Sequence, residues 1–377
     1  MIPLNRNLSG LKRSSIRTFT NLANATPGCI KLTIGEPDAA TPEAVKLAAK
    51  AALDADRTHY APNQGNGDLR TAIAAAETAR GNRVQPEQVL ITQGATQALF
   101  TALLGILNPG EEVIVPTPAF PLYESIITVA GGRMVPMDLT KTGFQITPEL
   151  LAAHMTPNTK AIVLNSPNNP TGTVLNEASL AAVKQAVLGK PVFLICDNVY
   201  QLLSDGDCPD LTLDEELKDQ TILCQSFSKP WAMTGWRIGY LTCPEYVMDR
   251  FLLLSAAEIA SVPTFVQDSA LEALNTDVTQ LRQRYSRRRA YMTGRLTQMG
   301  LTYPKPEGAF YVFPEISGLG LSSEEFCTRM IREAGLAAVP GSCFGAEGYI
   351  RLSCCNSDEE LEEGLNRLES FIQQLLP

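Results

Sequence analysis

The feature that most constrains the fold is an alternation of short apolar runs with helical patterns between residues 86 and 245. Runs such as VLIT (89–92) and AIVLNS (161–166) are rich in β-branched residues, and several runs are almost entirely apolar. That composition is typical of strands covered on both faces. GATQALFTALLGIL (94–107) has the pattern of a helix that follows such a strand. The alternation therefore predicts an α/β fold with a doubly wound sheet.

The same pattern predicts more strands, and it changes character near residue 275. The further strands are expected at 111–116, 134–139, 192–197, 222–226, 237–243 and 308–314, and in GYIRLSC. Beyond residue 275, charged helical stretches alternate with short strands, which is an α+β pattern. For a chain of 377 residues we expect a large α/β domain over 43–280 and a smaller α+β domain formed by 1–42 with 281–377.

Charge argues against a nucleic-acid partner. The chain has 31 basic and 40 acidic residues, a net charge of −9, whereas proteins that bind nucleic acids usually carry a basic face. One basic cluster interrupts this balance, and we expect it to be the solvated face of a long helix. It consists of Arg282, Arg284, Arg287, Arg288 and Arg289.

Cysteine and histidine usage argues against a metal site. The nine cysteines include no CxxC pair, and there are only two histidines, so no metal is expected. Thiols scattered through apolar runs fit a reducing cytosol. The chain has no signal-peptide pattern and no run of about 18 apolar residues, so we expect a cytoplasmic protein with no membrane partner.

The most informative stretch for chemistry is SFSKPWAMTGWRIGY (226–240). It places Ser226, Ser228 and Lys229 at the end of a predicted strand, with Arg237 eight residues after the lysine. Burial and nearby positive charge lower the pKa of an amine and make it a nucleophile toward a carbonyl. The hydroxyls and the arginine would suit a phosphate monoester. The alternative is an ordinary lysine in a surface loop.

Four other segments belong to the same predicted sheet edge or to the later strands. The glycine turn QGATQAL (93–99) opens a helix, whose free amides can bind phosphate, although such turns are common. Asp197 ends a buried strand, where a carboxylate needs a partner or caps the next helix. NSPNNPTG (165–172) forms a rigid turn, and Arg351 in YIRLSCC could clamp a carboxylate or simply snorkel. Together they match the amine, acid, phosphate cup and carboxylate clamp that pyridoxal 5′-phosphate requires.

These motifs resemble the class I/II aminotransferases of the fold-type I pyridoxal-phosphate enzymes. The resemblance runs from LTIGEPD (32–38) to YIRLS (349–353), and SFSK…MTGWRIG and NSPNNPTG are highly specific to that superfamily. IRTFTNLA, KPEGAFYVFP and AVPGSCFG resemble the subgroup that includes aromatic and N-acetyl-diaminopimelate aminotransferases. The resemblance implies a mostly parallel sheet and bound pyridoxal 5′-phosphate.

The resemblance also implies a role for each matching residue. Lys229 would hold the cofactor covalently and act as the general base, and Asp197 would pair with the ring nitrogen. Tyr200 and Asn169 would bind the ring's 3′ oxygen, Phe120 would stack on the ring, and Arg351 would clamp the substrate carboxylate. The phosphate would be bound by Gly94, Ala95, Thr96, Ser226, Ser228 and Arg237. Gly35, Asn169 and Phe310 would contact substrate, and Tyr60 would reach the partner's phosphate across a homodimer.

Two departures from the family pattern bear on this reading. Asn198 replaces the usual acidic residue after the ring-binding aspartate, with little effect expected because Asp197 is kept. Dicarboxylate specialists carry an arginine ahead of the proline matching Pro263, and SAAEIASVP (255–263) has none. We therefore predict transfer of an amino group from an L-amino acid with an aromatic or other large neutral side chain to a 2-oxo acid such as 2-oxoglutarate.

Four other functions are alternatives to this one. A carbon–sulfur β-lyase uses the same cofactor site, and an aspartate or N-acetyl-diaminopimelate aminotransferase differs only in the side chain accepted, so both stay open. A DNA-binding regulator would need a further domain. A nicotinamide-dependent dehydrogenase would need GxGxxG after its first strand, which QGATQAL does not provide.

Overall fold

The computed structural model describes residues 2, 4–11 and 15–375. The strands are β1 (Ile30–Lys31), β2 (Val89–Thr92), β3 (Glu112–Thr117), β4 (Arg133–Asp138), β5 (Thr159–Asn165), β6 (Phe193–Asp197), β7 (Thr221–Ser226), β8 (Gly239–Thr242), β9 (Tyr311–Val312), β10 (Leu336–Ala337), β11 (Val339–Pro340) and β12 (Ile350–Ser353). The α-helices are α1 (Ser15–Asn24), α2 (Glu43–Asp54), α3 (Gly67–Ala79), α4 (Gly94–Ile106), α5 (Leu122–Val129), α6 (Pro148–His154), α7 (Glu177–Val187), α8 (Glu245–Ile259), α9 (Thr264–Leu274), α10 (Thr279–Gln298), α11 (Ser323–Arg329) and α12 (Asp358–Leu375).

A seven-stranded sheet forms the centre of the molecule, in the order β2-β8-β7-β6-β5-β3-β4. The five neighbouring strands β4, β3, β5, β6 and β7 are parallel, and β8 runs antiparallel to both β7 and β2. Non-consecutive neighbours require crossover connections, which the intervening helices provide. The predicted α/β class and mostly parallel sheet are confirmed.

Helices cover both faces of this sheet, which explains why its strands are apolar throughout. Alternate residues of β3 point to opposite faces. Val113 and Val115 pack with residues of α4 and α5, whereas Ile114 packs on the other face with residues of α6 and α7. Each face therefore has its own buried layer, and the strands lie fixed between them.

Strand register brings polar residues together at the carboxyl edge of the sheet. Asn165 ends β5 and is paired with Asp197, which ends β6. Ser226 ends β7 opposite Gly239, and Lys229 follows three residues later in the chain. Ligands of doubly wound sheets bind at this edge, so the fold delivers these side chains to one place.

The last third of the chain forms a smaller three-stranded antiparallel sheet, β11-β12-β9. The N-terminal segment packs with this part of the chain: β1 and β10 form a separate parallel two-stranded sheet, and Leu32 lies in the same buried cluster as Leu336 and Leu365. Division into two domains at 42/43 and 280/281 stays a prediction, and residues 1, 3, 12–14, 376 and 377 of the predicted small domain lie outside the described residues.

The basic cluster on α10 is only partly a solvated face, so that expectation was wrong for two of its arginines. Arg289 is 2% exposed and bonds to the Ala309 carbonyl and to Asp205. Arg288 is also buried and bridges Asp38 and Asp358 at 2.9 and 2.7 Å. These two arginines therefore join α10 to four other segments of the chain. Within the described part of the chain, no helix has the length and apolar character needed to cross a bilayer.

Candidate active site

A cavity of about 440 Å³ opens at the carboxyl edge of the large sheet. Most of the residues proposed from the sequence line it. They are Gly35, Ala95, Thr96, Phe120, Asn169, Asp197, Tyr200, Ser226, Ser228, Lys229, Arg237 and Arg351. The cavity therefore combines an amine, a buried acid and two guanidinium groups with an aromatic wall.

Asp197 is buried with one oxygen bonded and one oxygen free. The Tyr123 hydroxyl donates to its Oδ2 at 2.5 Å, whereas Oδ1 has no hydrogen-bond partner among the described residues. Burial raises the pKa of this carboxyl to about 6, and the bond from Tyr123 opposes the rise. An unpaired carboxylate oxygen in such a place is costly unless a ligand donates to it.

Lys229 is poised as a nucleophile. Its Nζ donates to the Gly35 carbonyl at 2.6 Å and lies 5.8 Å from the centre of the Phe310 ring. Burial lowers the pKa of this amine to about 8. A larger share of the side chains is therefore uncharged near neutral pH than for an ordinary lysine, which favours attack on a carbonyl.

Arg237 and the start of α4 form a cup suited to an anion. The Nη1 and Nη2 atoms of Arg237 donate to the carbonyls of Thr234 and Gln93 at 2.9 and 3.3 Å. Gly94 has a φ of +73°, and a Cβ there would lie 2.9 Å from Nη2 of Arg237. Only glycine allows this approach. The amides of the first helical turn lack partners within the helix and can bind an anion beside the guanidinium.

Two serines lie beside this cup on the loop that follows β7. Ser226 and Ser228 are both buried, and the Ser228 amide donates to the Ser226 hydroxyl at 3.0 Å. The Ser226 hydroxyl contacts the Ile238 carbonyl at 3.4 Å. Both serines line the same cavity as Arg237.

Arg351 is held in place from four sides. Its guanidinium donates to Asn169 Oδ1 and to the Thr33 carbonyl, each at 2.9 Å. The rings of Tyr311 and Phe344 lie 4.4 and 5.0 Å from its central carbon. Its Nε has no partner in the described chain. A guanidinium that is buried, oriented and only partly satisfied suits a carboxylate ligand.

Three predicted site residues do not line the cavity of their own chain. Phe310, predicted to line the substrate pocket, is fully buried, and its neighbour Tyr311 lines the cavity instead. Tyr60 is 91% exposed and is not part of the cavity of its own chain. Gly94 shapes the cup through Arg237 without lining the cavity itself.

The structure adds three site residues that sequence reasoning missed: Tyr123, Asn165 and Tyr311. The side-chain Nδ2 of Asn165 donates to the backbone carbonyl of Asp197 at 2.8 Å, and its Oδ1 accepts from the backbone N–H of Asn169 at 2.9 Å. Asn165 stands first in NSPNNPTG, so its position in the motif was a usable signal. Asn198, which replaces the usual acidic residue, is not among the residues that line the cavity, and its Nδ2 donates to Asp210 Oδ2 at 2.7 Å.

Comparison with known proteins identifies the family. The model of the family "Aminotransferase class I and II" matches residues 27–368. The chain belongs to this family. It is 41% identical over 376 residues to a probable N-acetyl-LL-diaminopimelate aminotransferase of Bacillus subtilis, covering 98% of this chain and 95% of that one. It is 37% identical to aromatic-amino-acid aminotransferase 2 of Thermococcus litoralis, with 98% of each covered.

Comparison with a solved structure identifies the same family. The aspartate aminotransferase of Thermus thermophilus with maleate superposes with a TM-score of 0.93 at 35% identity, covering 98% of this chain and 100% of the other. The protein is therefore a fold-type I transaminase that works with pyridoxal 5′-phosphate. Its substrates are an amino acid and an oxo acid.

The cavity fits this cofactor on its own chemistry. The free Oδ1 of Asp197 offers an acceptor to a protonated ring nitrogen, and the Lys229 amine offers a nucleophile to the aldehyde. The cup formed by Arg237 at the start of α4, which Gly94 keeps open, offers donors to the phosphate. No described cavity residue opposes this arrangement with a second buried carboxylate.

Proposed function

We propose that this aminotransferase acts on L-amino acids with aromatic or other large neutral side chains and passes the amino group to a 2-oxo acid such as 2-oxoglutarate. The observation that supports this most is the charge of the cavity. Its cations are Lys229, Arg237 and Arg351, and each has a proposed partner in the cofactor or the α-carboxylate. None is left among the described residues of one chain for a second carboxylate.

Apolar residues in the wall of the cavity support the same substrate class. Ile16 on α1, Ile34 and Leu122 contribute apolar surface to the cavity. An apolar wall stabilises an apolar side chain by about 25 cal/mol per Å² buried, whereas a carboxylate there would lose its hydration without gaining a partner. The segment 255–263 carries no arginine that a partner subunit could supply.

In this proposal each site residue has one task. Bound pyridoxal 5′-phosphate supplies the aldehyde that captures the substrate amine and the ring that stabilises charge left on Cα. Lys229 takes the Cα proton at its Nζ and returns it. Asp197 accepts a hydrogen bond from the ring nitrogen at Oδ1. Arg351 fixes the carboxylate, which sets the direction of the Cα–H bond.

Further residues complete the proposed cofactor site. Tyr200 donates to the 3′ oxygen of the ring, as does Asn169 through Nδ2, because its Oδ1 already accepts from Arg351. Phe120 stacks on the ring. The phosphate is bound at the cup by the residues predicted from the sequence, namely Gly94, Ala95, Thr96, Ser226, Ser228 and Arg237.

The substrate proposal is tested by steady-state kinetics with 2-oxoglutarate as acceptor. We expect kcat/KM for phenylalanine, tyrosine or leucine to exceed that for aspartate and for N-acetyl-diaminopimelate by about tenfold or more, in line with the loss of one buried ion pair. A preference for aspartate would overturn the proposal. Pyruvate and ammonia formed from cystathionine without any oxo acid would instead identify a carbon–sulfur lyase.

Arg351→Lys tests the carboxylate clamp. The lysine keeps the charge but loses the two-pronged geometry, so KM should rise for every substrate, with a loss in kcat/KM worth about 2–5 kcal/mol if the pair is buried. Arg329→Lys is the matched control, because Arg329 pairs with Glu333 on the surface of α11. An unchanged KM in the Arg351 variant would show that Arg351 does not bind the substrate carboxylate.

The proposal includes a homodimer in which Tyr60 reaches the partner's phosphate. Its exposure supports this, as does the anchoring of its loop, where the Thr264 hydroxyl donates to the His59 carbonyl at 2.7 Å. Mixing Tyr60→Phe and Lys229→Ala subunits should create one site of wild-type affinity for pyridoxal phosphate per mixed dimer. If Tyr60 serves its own chain, the mixture would contain no such site.

Domain division and location belong to the same proposal. We place the large domain at 43–280 and the small one at 1–42 with 281–377, because β1 pairs with β10 and the buried cluster around them takes only Val199, Tyr200 and Leu203 from 43–280. A cytoplasmic location is supported by free thiols buried in apolar strands, such as those of Cys196 and Cys224, which are usual in a reducing compartment.

A further inference from the structure

Two tyrosines that line the cavity bring their hydroxyls together. The hydroxyl oxygens of Tyr200 and Tyr311 lie 3.1 Å apart, and their rings pack edge to face at 5.7 Å. Both side chains are almost fully buried. For each hydroxyl, the other is the only hydrogen-bond partner within the described chain. The two phenols therefore form an isolated pair whose remaining proton and lone pairs face the cavity.

Tyr311 is fixed by two further contacts. The guanidinium of Arg351 lies over its ring, with the central carbon 4.4 Å from the ring centre. Its hydroxyl lies against the Cα of Gly35, where a Cβ would be only 2.5 Å away. Tyr311 thus contacts the residue proposed to bind the substrate carboxylate and, at its other end, the residue proposed to bind the cofactor oxygen.

The number of protons in this pair decides what Tyr200 can do. Each phenol has one proton, and the contact between them uses one of the two. If Tyr311 donates, the Tyr200 proton is free for a ligand in the cavity. If Tyr200 donates, that proton is consumed. Burial raises the pKa of both phenols, that of Tyr311 to about 12 and that of Tyr200 well above its ordinary value, and the Arg351 guanidinium opposes the rise in both. That guanidinium lies directly over the Tyr311 ring, which favours Tyr311 as the more acidic phenol and therefore as the donor.

We infer that Tyr311 is a positioning residue that donates its hydroxyl proton to Tyr200 and so directs the Tyr200 proton toward the cofactor's 3′ oxygen. This inference rests on the proposed role of Tyr200. A donor that itself accepts a hydrogen bond is a stronger donor. Tyr311 also links the two ends of the site. A carboxylate that neutralises Arg351 makes the Tyr311 phenol less acidic, so its hydroxyl donates less strongly to Tyr200. The hydrogen bond from Tyr200 to the 3′ oxygen then weakens.

The first test is a pH titration of the visible absorption band of the holoenzyme, compared with Tyr311→Phe. A hydrogen bond from Tyr200 stabilises the anionic ring oxygen and keeps the titration midpoint low. Removing the Tyr311 hydroxyl weakens that bond, so the midpoint should rise by about half a unit to one unit. Tyr303→Phe is the matched control, because that tyrosine bonds to the Thr293 carbonyl outside the cavity.

The second test separates the hydroxyl of Tyr311 from its ring. 3-Phenylpropionate, which has a carboxylate but no amine, is titrated into each holoenzyme. Tyr311→Phe keeps the ring over Arg351 and should bind it within about twofold of wild type, whereas Tyr311→Leu should bind roughly three- to thirtyfold more weakly. In wild type the ligand should raise the spectral midpoint, and in Tyr311→Phe this rise should shrink. Melting temperatures confirm that both variants fold.

The outcomes divide clearly. A midpoint that stays the same or falls in Tyr311→Phe overturns the inference, because it means that Tyr200 donates to Tyr311 or ignores it. That result leaves the proposed substrates and cofactor site intact. A wild-type protein that takes up no pyridoxal phosphate, and so shows no visible band, overturns the proposed cofactor site and this inference together.

Discussion

Tyr123 donates its hydroxyl to Oδ2 of Asp197 at 2.5 Å and leaves Oδ1 of that carboxylate facing the cavity. Tyr123 lies on α5 and is itself buried against the sheet, so its ring cannot swing away. The bond selects which oxygen is available to a ligand. It also stabilises the charged form of a carboxyl whose pKa burial raises to about 6.

Replacing Tyr123 by phenylalanine should therefore raise the pKa of Asp197 further, by about one to two units for one hydrogen bond to a charged group. A ligand with a protonated ring nitrogen binds the ionised carboxylate, so affinity is full above the carboxyl pKa and falls about tenfold per unit below it. In the cofactor-free wild type the loss should begin near pH 6, and in the variant it should begin at a higher pH.

The measurement uses pyridoxamine 5′-phosphate, which cannot condense with Lys229, and follows quenching of tryptophan fluorescence across pH. Tyr246→Phe is the control, since Tyr246 bonds to the Asp219 carbonyl far from the cavity. Identical pH profiles for the Tyr123 variant and wild type would show that the bond does not govern Asp197.

The lowered pKa of Lys229 predicts a pH dependence for the cofactor-free chain. Because burial places this pKa at about 8, half of the amines are uncharged at that pH, and the reactive fraction falls about tenfold per unit below it. Labelling of Lys229 by an aldehyde with borohydride trapping should therefore level off above pH 8. In the chain unfolded by urea, the same lysine should continue to gain reactivity toward about pH 10.4. Coincident curves would contradict the account.

Gly94→Ala should damage the phosphate cup. The added Cβ meets Nη2 of Arg237 at 2.9 Å, and alanine at a φ of +73° costs about 1–2 kcal/mol of stability. Affinity for pyridoxal phosphate should fall by about tenfold as Arg237 moves from its place. Gly294→Ala is the matched control on the exposed face of α10, where a Cβ meets nothing within 4 Å and should raise stability by about 1 kcal/mol. Equal affinity in the two variants would exclude this role for Gly94.

The large sheet was predictable from sequence because its strands are covered on both faces. Val113, Ile114 and Val115 are apolar in succession for that reason, and the helices between strands determine a parallel arrangement. The residues at strand ends, such as Asp197, then fall at one edge of the sheet whatever the details of packing.

The errors occurred where tertiary contacts decide the outcome. β9 has only two residues, and Ala309 before it has a φ of +56°, so the direction of Phe310 and Tyr311 could not be taken from strand alternation. Tyr123 reaches Asp197 across 74 residues of sequence, through the packing of α5 on the sheet. Arg289 looks like one more charge on a basic helix, and only its contacts with Ala309 and Asp205 bury it.

The central claim is that Lys229 carries the cofactor opposite Asp197, and peptide mapping tests it most directly. The holoenzyme is reduced with borohydride, digested and analysed by mass spectrometry, with Asp197→Asn treated in parallel. The account predicts the mass of a reduced pyridoxyl phosphate on the peptide that contains Lys229, in full yield for wild type and with much weaker retention in the variant. Label found on another lysine, or none on Lys229 in a protein that holds the cofactor, would contradict it.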